Sequence, residues 1–122
     1  MSVNIHPTAI VSDGASLGTD VTIGPYCTVG THVTIGDRVT LHSHVVIDGH
    51  TSLGAGGEVF PFAVLGCPPQ HTRYAGEEST LEIGTDCVIR EHVTMHPGTA
   101  IDSMRTRVGN NGLFLVASHI AH

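Results

Sequence analysis

Residues 17–41 read LGTDVTIGPYCTVGTHVTIGDRVTL, and an aliphatic residue returns at every sixth position of this stretch. The same period runs in both directions and misses no position from Ile5 to Leu65. A small or β-branched residue stands two places before most of these positions, and glycine often follows directly. Two positions in each hexad are therefore expected to face inward. The aliphatic positions are Ile5, Val11, Leu17, Ile23, Val29, Ile35, Leu41, Ile47, Leu53, Val59 and Leu65.

A period of six excludes the common secondary-structure patterns. An amphipathic helix repeats about every 3.6 residues, and an amphipathic strand alternates by two over only a few residues. A repeated hexapeptide instead indicates a β-helix, in which each hexad forms a short strand and a turn. Three hexads close one triangular coil, so residues three hexads apart stack as parallel strands about 4.8 Å apart. We therefore predict an all-β parallel β-helix with a buried aliphatic ladder and no helix longer than two turns between residues 5 and 65.

The repeat is interrupted twice, and at both places we predict loops. After Leu65 the next two ladder positions hold His71 and Glu77, so the polar residues 67–80 are predicted to protrude from the coil. A second loop is predicted at residues 102–107, where the register slips by one residue. Loops on a rigid scaffold often carry function, which makes residues 70–76 the first place to look. The ladder resumes at Ile83, Ile89 and Met95 before the second loop and at Val108, Phe114 and Ile120 after it.

The composition fits one globular domain, residues 1–122. A formal net charge of -6 disfavours non-specific binding to nucleic acid or to an anionic membrane surface. The sequence has no apolar run of about 20 residues and no signal-peptide pattern, so we expect a cytoplasmic protein. Cys27, Cys67 and Cys87 form neither an even set nor a CxxC pair, and we expect them to be reduced.

Histidine is unusually frequent, with ten copies, and most occupy outward positions of their hexads. Any one of them, taken alone, is best interpreted as a solvated or hydrogen-bonded structural residue. Two clusters favour a functional role more strongly, residues 92–96 and residues 118–122, because a solenoid can bring such segments onto neighbouring coils.

The sequence resembles the UDP-N-acetylglucosamine O-acyltransferases of lipid A biosynthesis over its whole length. The loop ending in YAGE and the segment HIAH are the most specific parts of this resemblance. The matching segments are IHPTAIV (5–11), IGP (23–25), SHVV (43–46), GHT (49–51), YAGE (74–77), IRE (89–91), HPGT (96–99) and HIAH (119–122).

The resemblance implies a left-handed coil and a defined reaction. A (R)-3-hydroxyacyl group would move from an acyl carrier protein thioester to the 3-hydroxyl of UDP-N-acetylglucosamine, with no metal or prosthetic group. Because a sugar hydroxyl is a poor nucleophile, the reaction needs a base, and an imidazole titrating near about 6.5 suits that task.

The resemblance also implies the site residues. His122 matches the general base and His119 a substrate-contacting histidine, while His96 matches a further histidine of the same cleft. Arg73 stands where the family usually has lysine, and a cation there can hold phosphates or developing charge. His71 replaces an aspartate that contacts the sugar, which departs from the family pattern.

The family is trimeric, with active sites between neighbouring β-helices, so a homotrimer is the expected assembly. Its members continue with more coils and a carboxy-terminal helical region. We therefore expect this chain to correspond to the amino-terminal portion and to be inactive alone, since a carboxylate beside the base and the oxyanion donor lie in the missing part.

Two other classes remain open. The first is a non-catalytic β-helix that only trimerises or binds a partner, and turnover assays discriminate it. The second is a zinc-dependent carbonic anhydrase of the same fold, which elemental analysis for zinc would detect. The spacing of His92 from His96 and of His119 from His122 does not match the histidine pair of that class.

Overall fold

The structure is a computed structural model that describes residues 3–67, 80–96 and 105–120. These residues form short strands joined by turns, and no helix occurs among them. Sheet A contains β1 (Asn4–Ile5), β4 (Thr22–Ile23), β7 (Thr40–Leu41), β10 (Glu58–Val59), β13 (Val88–Ile89) and β16 (Leu113–Phe114). Sheet B contains β2 (Ile10–Val11), β5 (Thr28–Val29), β8 (Val46–Ile47), β11 (Val64–Leu65), β14 (Thr94–Met95) and β17 (His119–Ile120). Sheet C contains β3 (Ser16–Leu17), β6 (Thr34–Ile35), β9 (His50–Leu53), β12 (Thr80–Ile83) and β15 (Arg105–Val108).

The predicted parallel β-helix is confirmed by the strand register. Ile5 pairs with Ile23, and Leu17 with Ile35, so three hexads separate paired residues throughout the uninterrupted repeat. The coil is left-handed, against the usual right-handed crossover of parallel strands. The right-handed rule follows from the twist of the strands, and strands of only two residues have little twist.

The aliphatic ladder forms the core, but the prediction that every position is buried is wrong at the first coil. Ile5 is 43% exposed, and Val11 and Leu17 are only half-buried, whereas Ile23 is 1% exposed. Ile5 lies in β1, the edge strand of sheet A, and is paired with β4 on one side only. The remaining ladder positions from 23 to 65 are buried, as predicted.

Many corners of the coil contain a residue with an unusual backbone conformation. Among the described residues, nine non-glycine residues have a positive φ, and each lies three residues after a ladder position. The left-handed conformation costs about 1–2 kcal/mol per residue for an L-amino acid, so the surrounding strand pairing must offset this cost. The nine residues are Asp20, Tyr26, Arg38, His44, Phe62, Asp86, His92, Asn111 and Ala117.

The glycines that follow ladder positions serve the close stacking of coils. A Cβ on Gly24 would lie 2.7 Å from the carbonyl oxygen of His42 in the next coil. A Cβ on Gly54 would lie 2.6 Å from the backbone of Gly84. The close approach of the next coil therefore explains why glycine recurs at this position.

The two loops were predicted slightly too long at their carboxyl ends. Thr80 belongs to β12, and Arg105 to Arg107 belong to β15, where Arg105 pairs with Thr80 and Arg107 with Glu82. Strands of sheet C have four residues from β9 onward, so pairing begins two residues earlier than a regular hexad predicts. Residues 68–79 and 97–104 lie outside the described residues.

Candidate functional site

His96 is held rigidly at the end of β14. Its side chain is 6% exposed, and its Nδ1 lies 2.9 Å from the carbonyl oxygen of Cys67. A carbonyl oxygen can only accept, so Nδ1 carries the hydrogen and donates it. The neutral ring is thereby fixed in one tautomer, with Nε2 as its acceptor.

His119 lies beside His96 on the neighbouring strand. It is an exposed residue of β17 and is paired with Thr94 of β14. The rings of His96 and His119 meet edge to face, with centroids 5.1 Å apart and an interplanar angle of 64°. On its other side, Nδ1 of His119 lies 2.5 Å from the hydroxyl oxygen of Thr94. We call His96 and His119 the histidine pair.

The segment from which the first loop departs is tightly constrained. Gly66 has a φ of +85°, and a Cβ there would lie 2.0 Å from the carbonyl oxygen of Asp48. That same oxygen accepts a hydrogen bond of 2.7 Å from the hydroxyl of buried Thr51. We call Asp48, Gly49, Thr51, Gly66 and Cys67 the loop root. Because the Cys67 carbonyl binds His96, the loop root and the histidine pair form one connected unit.

The surroundings of Cys67 disfavour the thiolate form of its side chain. Burial raises the pKa of Cys67, and the nearby charge of Asp48 raises it further. Since the thiolate is the reactive form, a raised pKa lowers the reactivity of this thiol.

Most other histidines make structural contacts elsewhere, as expected for histidines taken singly. His6 binds the hydroxyl of Thr8, and His42 binds the carboxylate of Glu58 at 2.8 Å. His32 stacks on His50 with ring centroids 4.4 Å apart.

A column of stacked rings occupies the corner between sheets A and B. His44 lies between Tyr26 and Phe62, at centroid distances of 5.1 and 5.0 Å, and Phe62 stacks on His92 at 5.3 Å. The clusters at residues 92–96 and 118–122 lie on neighbouring coils, because β14 pairs with β17, but His92 lies at a different corner from His96. The left-handed backbone at His92 directs it into this column.

Three of the predicted site residues lie outside the described residues. His71 and Arg73 lie between the described residues Cys67 and Thr80, and His122 follows the last described residue, Ile120. Their roles stay predictions. Thr94 was missed by sequence reasoning. The stacking of the ladder residues Met95 and Ile120 could have indicated it, because Thr94 and His119 directly precede them in the sequence.

Two kinds of feature are absent from the described part of the chain. Within residues 3–67, 80–96 and 105–120, no group of three or more His, Cys, Asp or Glu side chains is arranged to hold a metal ion. The described part of the chain also contains no helix long and apolar enough to span a membrane.

Known proteins resemble both the sequence and the fold. The family model described as bacterial transferase hexapeptide (six repeats) matches residues 14–49. An acyl-[acyl-carrier-protein]--UDP-N-acetylglucosamine O-acyltransferase of Azorhizobium caulinodans is 57% identical over 97% of this chain and 44% of its own length. A similarly named protein of Rickettsia canadensis is 50% identical over 98% of this chain and 45% of its own length.

Solved structures give the same result. The UDP-N-acetylglucosamine O-acyltransferase of Moraxella catarrhalis matches with a TM-score of 0.95 at 46% identity, over 97% of this chain and 46% of that chain. A structure described as UDP-N-acetylglucosamine acyltransferase matches with a TM-score of 0.96 at 42% identity. The chain thus spans less than half the length of the relatives it matches.

Proposed function

We propose that this chain, which belongs by sequence and fold with the hexapeptide-repeat UDP-N-acetylglucosamine O-acyltransferases, supplies part of the active site of such an enzyme. The reaction moves a (R)-3-hydroxyacyl group from acyl carrier protein to the 3-hydroxyl of UDP-N-acetylglucosamine, the first step of lipid A biosynthesis. The observation that carries this proposal is the connection of the loop root to the histidine pair through Cys67 and His96. It places Cys67, the last described residue before the loop, beside two of the histidines that the family resemblance assigns to one cleft.

The proposed chemistry is general-base acyl transfer. His122 takes the proton of the sugar 3-hydroxyl as that oxygen attacks the thioester carbonyl carbon. The tetrahedral intermediate then collapses, the carbon–sulfur bond breaks, and the thiol of the carrier leaves with the proton. His119 and His71 contact the acceptor, and Arg73 holds its phosphates. His96 stands behind His119 and is too deeply buried to offer much surface to a ligand.

A grafted enzyme tests this function. Residues 1–122 replace the matching portion of the Azorhizobium caulinodans relative, and acylated UDP-N-acetylglucosamine is followed by mass spectrometry. We expect the graft to turn over within about tenfold of the relative. The 122-residue chain alone should be slower by at least about 10² to 10³, the cost of losing one oxyanion donor.

The contrary results are equally clear. A graft that folds but acylates neither UDP-N-acetylglucosamine nor its 3-amino analogue would favour the non-catalytic β-helix. Stoichiometric zinc in the purified chain would instead revive the carbonic anhydrase interpretation. Activity of the chain alone close to that of the graft would contradict the expectation that it is inactive by itself.

We also propose that the chain assembles as a homotrimer through the outer face of sheet B. The side chains that point outward there are Ile10, Thr28, Val46, Val64, Thr94 and His119, and none is an acidic residue, Lys or Arg. Sheets A and C present Glu58, Glu82 and Arg107 on the corresponding faces. A face without such charges suits an interface core, from which charged residues are depleted. His119 at one end of this face would then lie beside a neighbouring subunit.

A charge on that face should disrupt the trimer. Val46→Glu would bury a carboxylate between subunits, so we expect sedimentation velocity to show a shift from trimer to monomer. The matched control is Thr40→Glu, on the outer face of sheet A in the same coil, which should stay trimeric. Equal behaviour of the two variants would reject sheet B as the interface.

The reaction is further proposed to take place in the cytoplasm. All three cysteines are free, which suits a compartment that keeps thiols reduced.

A further inference from the structure

Thr94 is an unassigned polar residue that touches the site. It lies opposite His119 in the strand register, and both side chains point outward from sheet B. Their contact joins the hydroxyl oxygen to Nδ1 at 2.5 Å. The two residues are 25 positions apart in sequence, so only the stacking of successive coils makes this contact.

His119 is held from two sides although it is exposed. Thr94 engages Nδ1, and the ring of His96 packs edge-on at 5.1 Å. His96 is itself immobilised by burial and by the Cys67 carbonyl. The two nitrogens of an imidazole are distinct, so a bond at Nδ1 leaves Nε2 to meet a ligand.

We infer that Thr94 is the positioning residue of His119, and that His96 supports the ring from behind. A hydroxyl can donate to Nδ1 or accept from Nδ1–H, so the contact survives either tautomer and also the protonated ring. A carboxylate could only accept and a backbone N–H could only donate. The side chain of Thr94 therefore keeps Nε2 of His119 in place whatever the protonation state of the ring.

This inference rests on the proposed function for its kinetic consequence. If His119 contacts the sugar nucleotide, loss of the contact between Nδ1 and Thr94 lets the ring turn. Nε2 is then no longer held where the ligand binds. Misplacement by about 1 Å can cost on the order of 10² in rate, which sets the upper limit of the effect.

The kinetic test compares three variants of the grafted enzyme. Thr94→Val removes the hydroxyl at nearly constant volume, and we expect kcat/KM for UDP-N-acetylglucosamine to fall about tenfold to a hundredfold, with a raised KM. Thr94→Ser keeps the hydroxyl and should restore kcat/KM to within about threefold of the parent. The control Thr40→Val makes the same change on sheet A and should leave kcat/KM unaltered. Full activity of Thr94→Val would overturn the inference. So would a loss of kcat/KM in Thr94→Ser as large as that in Thr94→Val.

A second readout does not depend on activity. The 122-residue chain is labelled with ¹⁵N-histidine, and the ring nitrogens of His119 are followed by NMR. We expect Thr94→Val to shift the Nδ1 resonance of His119 while Thr94→Ser and Thr40→Val leave it in place. Unchanged resonances in Thr94→Val would reject the contact itself. An inactive graft with the expected NMR shift would instead refute the proposed function and leave the positioning role intact.

Discussion

His122→Ala in the grafted enzyme is expected to lower kcat by about 10² to 10⁴, the usual contribution of general acid-base catalysis. The sugar nucleotide would keep its proposed contacts with His119, Arg73 and His71, but its 3-hydroxyl would lose the group that takes its proton. KM for UDP-N-acetylglucosamine should therefore change much less than kcat. Initial rates across a range of both substrates separate the two constants.

The control for this experiment is His6→Ala. His6 is exposed, forms a hydrogen bond with Thr8, and lies in the first coil, far along the solenoid from the histidine pair. We expect it to turn over as the parent does. Turnover of His122→Ala within about threefold of the parent, with the trimer intact, would rule out His122 as the base.

Gly66→Ala is expected to destabilise the chain by at least about 2–3 kcal/mol, one of the largest effects available to a single methyl group. The φ of +85° is costly for any L-residue, and the new Cβ would lie 2.0 Å from the Asp48 carbonyl oxygen and 2.1 Å from the hydroxyl oxygen of Thr51. Both contacts involve the loop root, so relief must displace Cys67 or the Asp48 backbone. Urea unfolding followed by circular dichroism measures the loss as a lower midpoint.

Gly109→Ala provides the matched control. Gly109 also follows a ladder residue, Val108, but a Cβ there meets nothing within 4 Å, and its φ is not in the positive range. We expect its unfolding midpoint to match the parent's or to rise slightly, since alanine restricts the unfolded chain. If Gly66→Ala were as stable as Gly109→Ala, the loop root would not be the constrained segment described above.

The ladder was predictable because it depends on a local, repeated pattern. One aliphatic residue per hexad specifies both the inward direction and the pairing with the residue three hexads away, so Ile23 and Leu41 could be placed in the core without any structure. The start of the first loop was readable for the same reason, since a polar residue at position 71 cannot continue the ladder.

The candidate site was only partly predictable. His96 and His119 were assigned through family motifs, and the structure brings their rings together. Thr94 carried no signal by its type, because threonine is common at outward strand positions, such as Thr22 and Thr40. Its importance depends on the length of the second loop, which sets a spacing of 25 residues between paired positions rather than 18.

By itself, the sequence determined the six-residue period, the triangular coil and the identity of the buried ladder, because these follow from which residues avoid water within each hexad. Only the tertiary structure decided what lies above and below each residue. It left Ile5 exposed at the edge of sheet A, and it placed His92 and His96 at different corners. It also joined Thr94 and His96 to His119, and Cys67 to His96. Such contacts run along the solenoid axis, between residues distant in sequence. They depend on how the coils before and after each loop stack on each other.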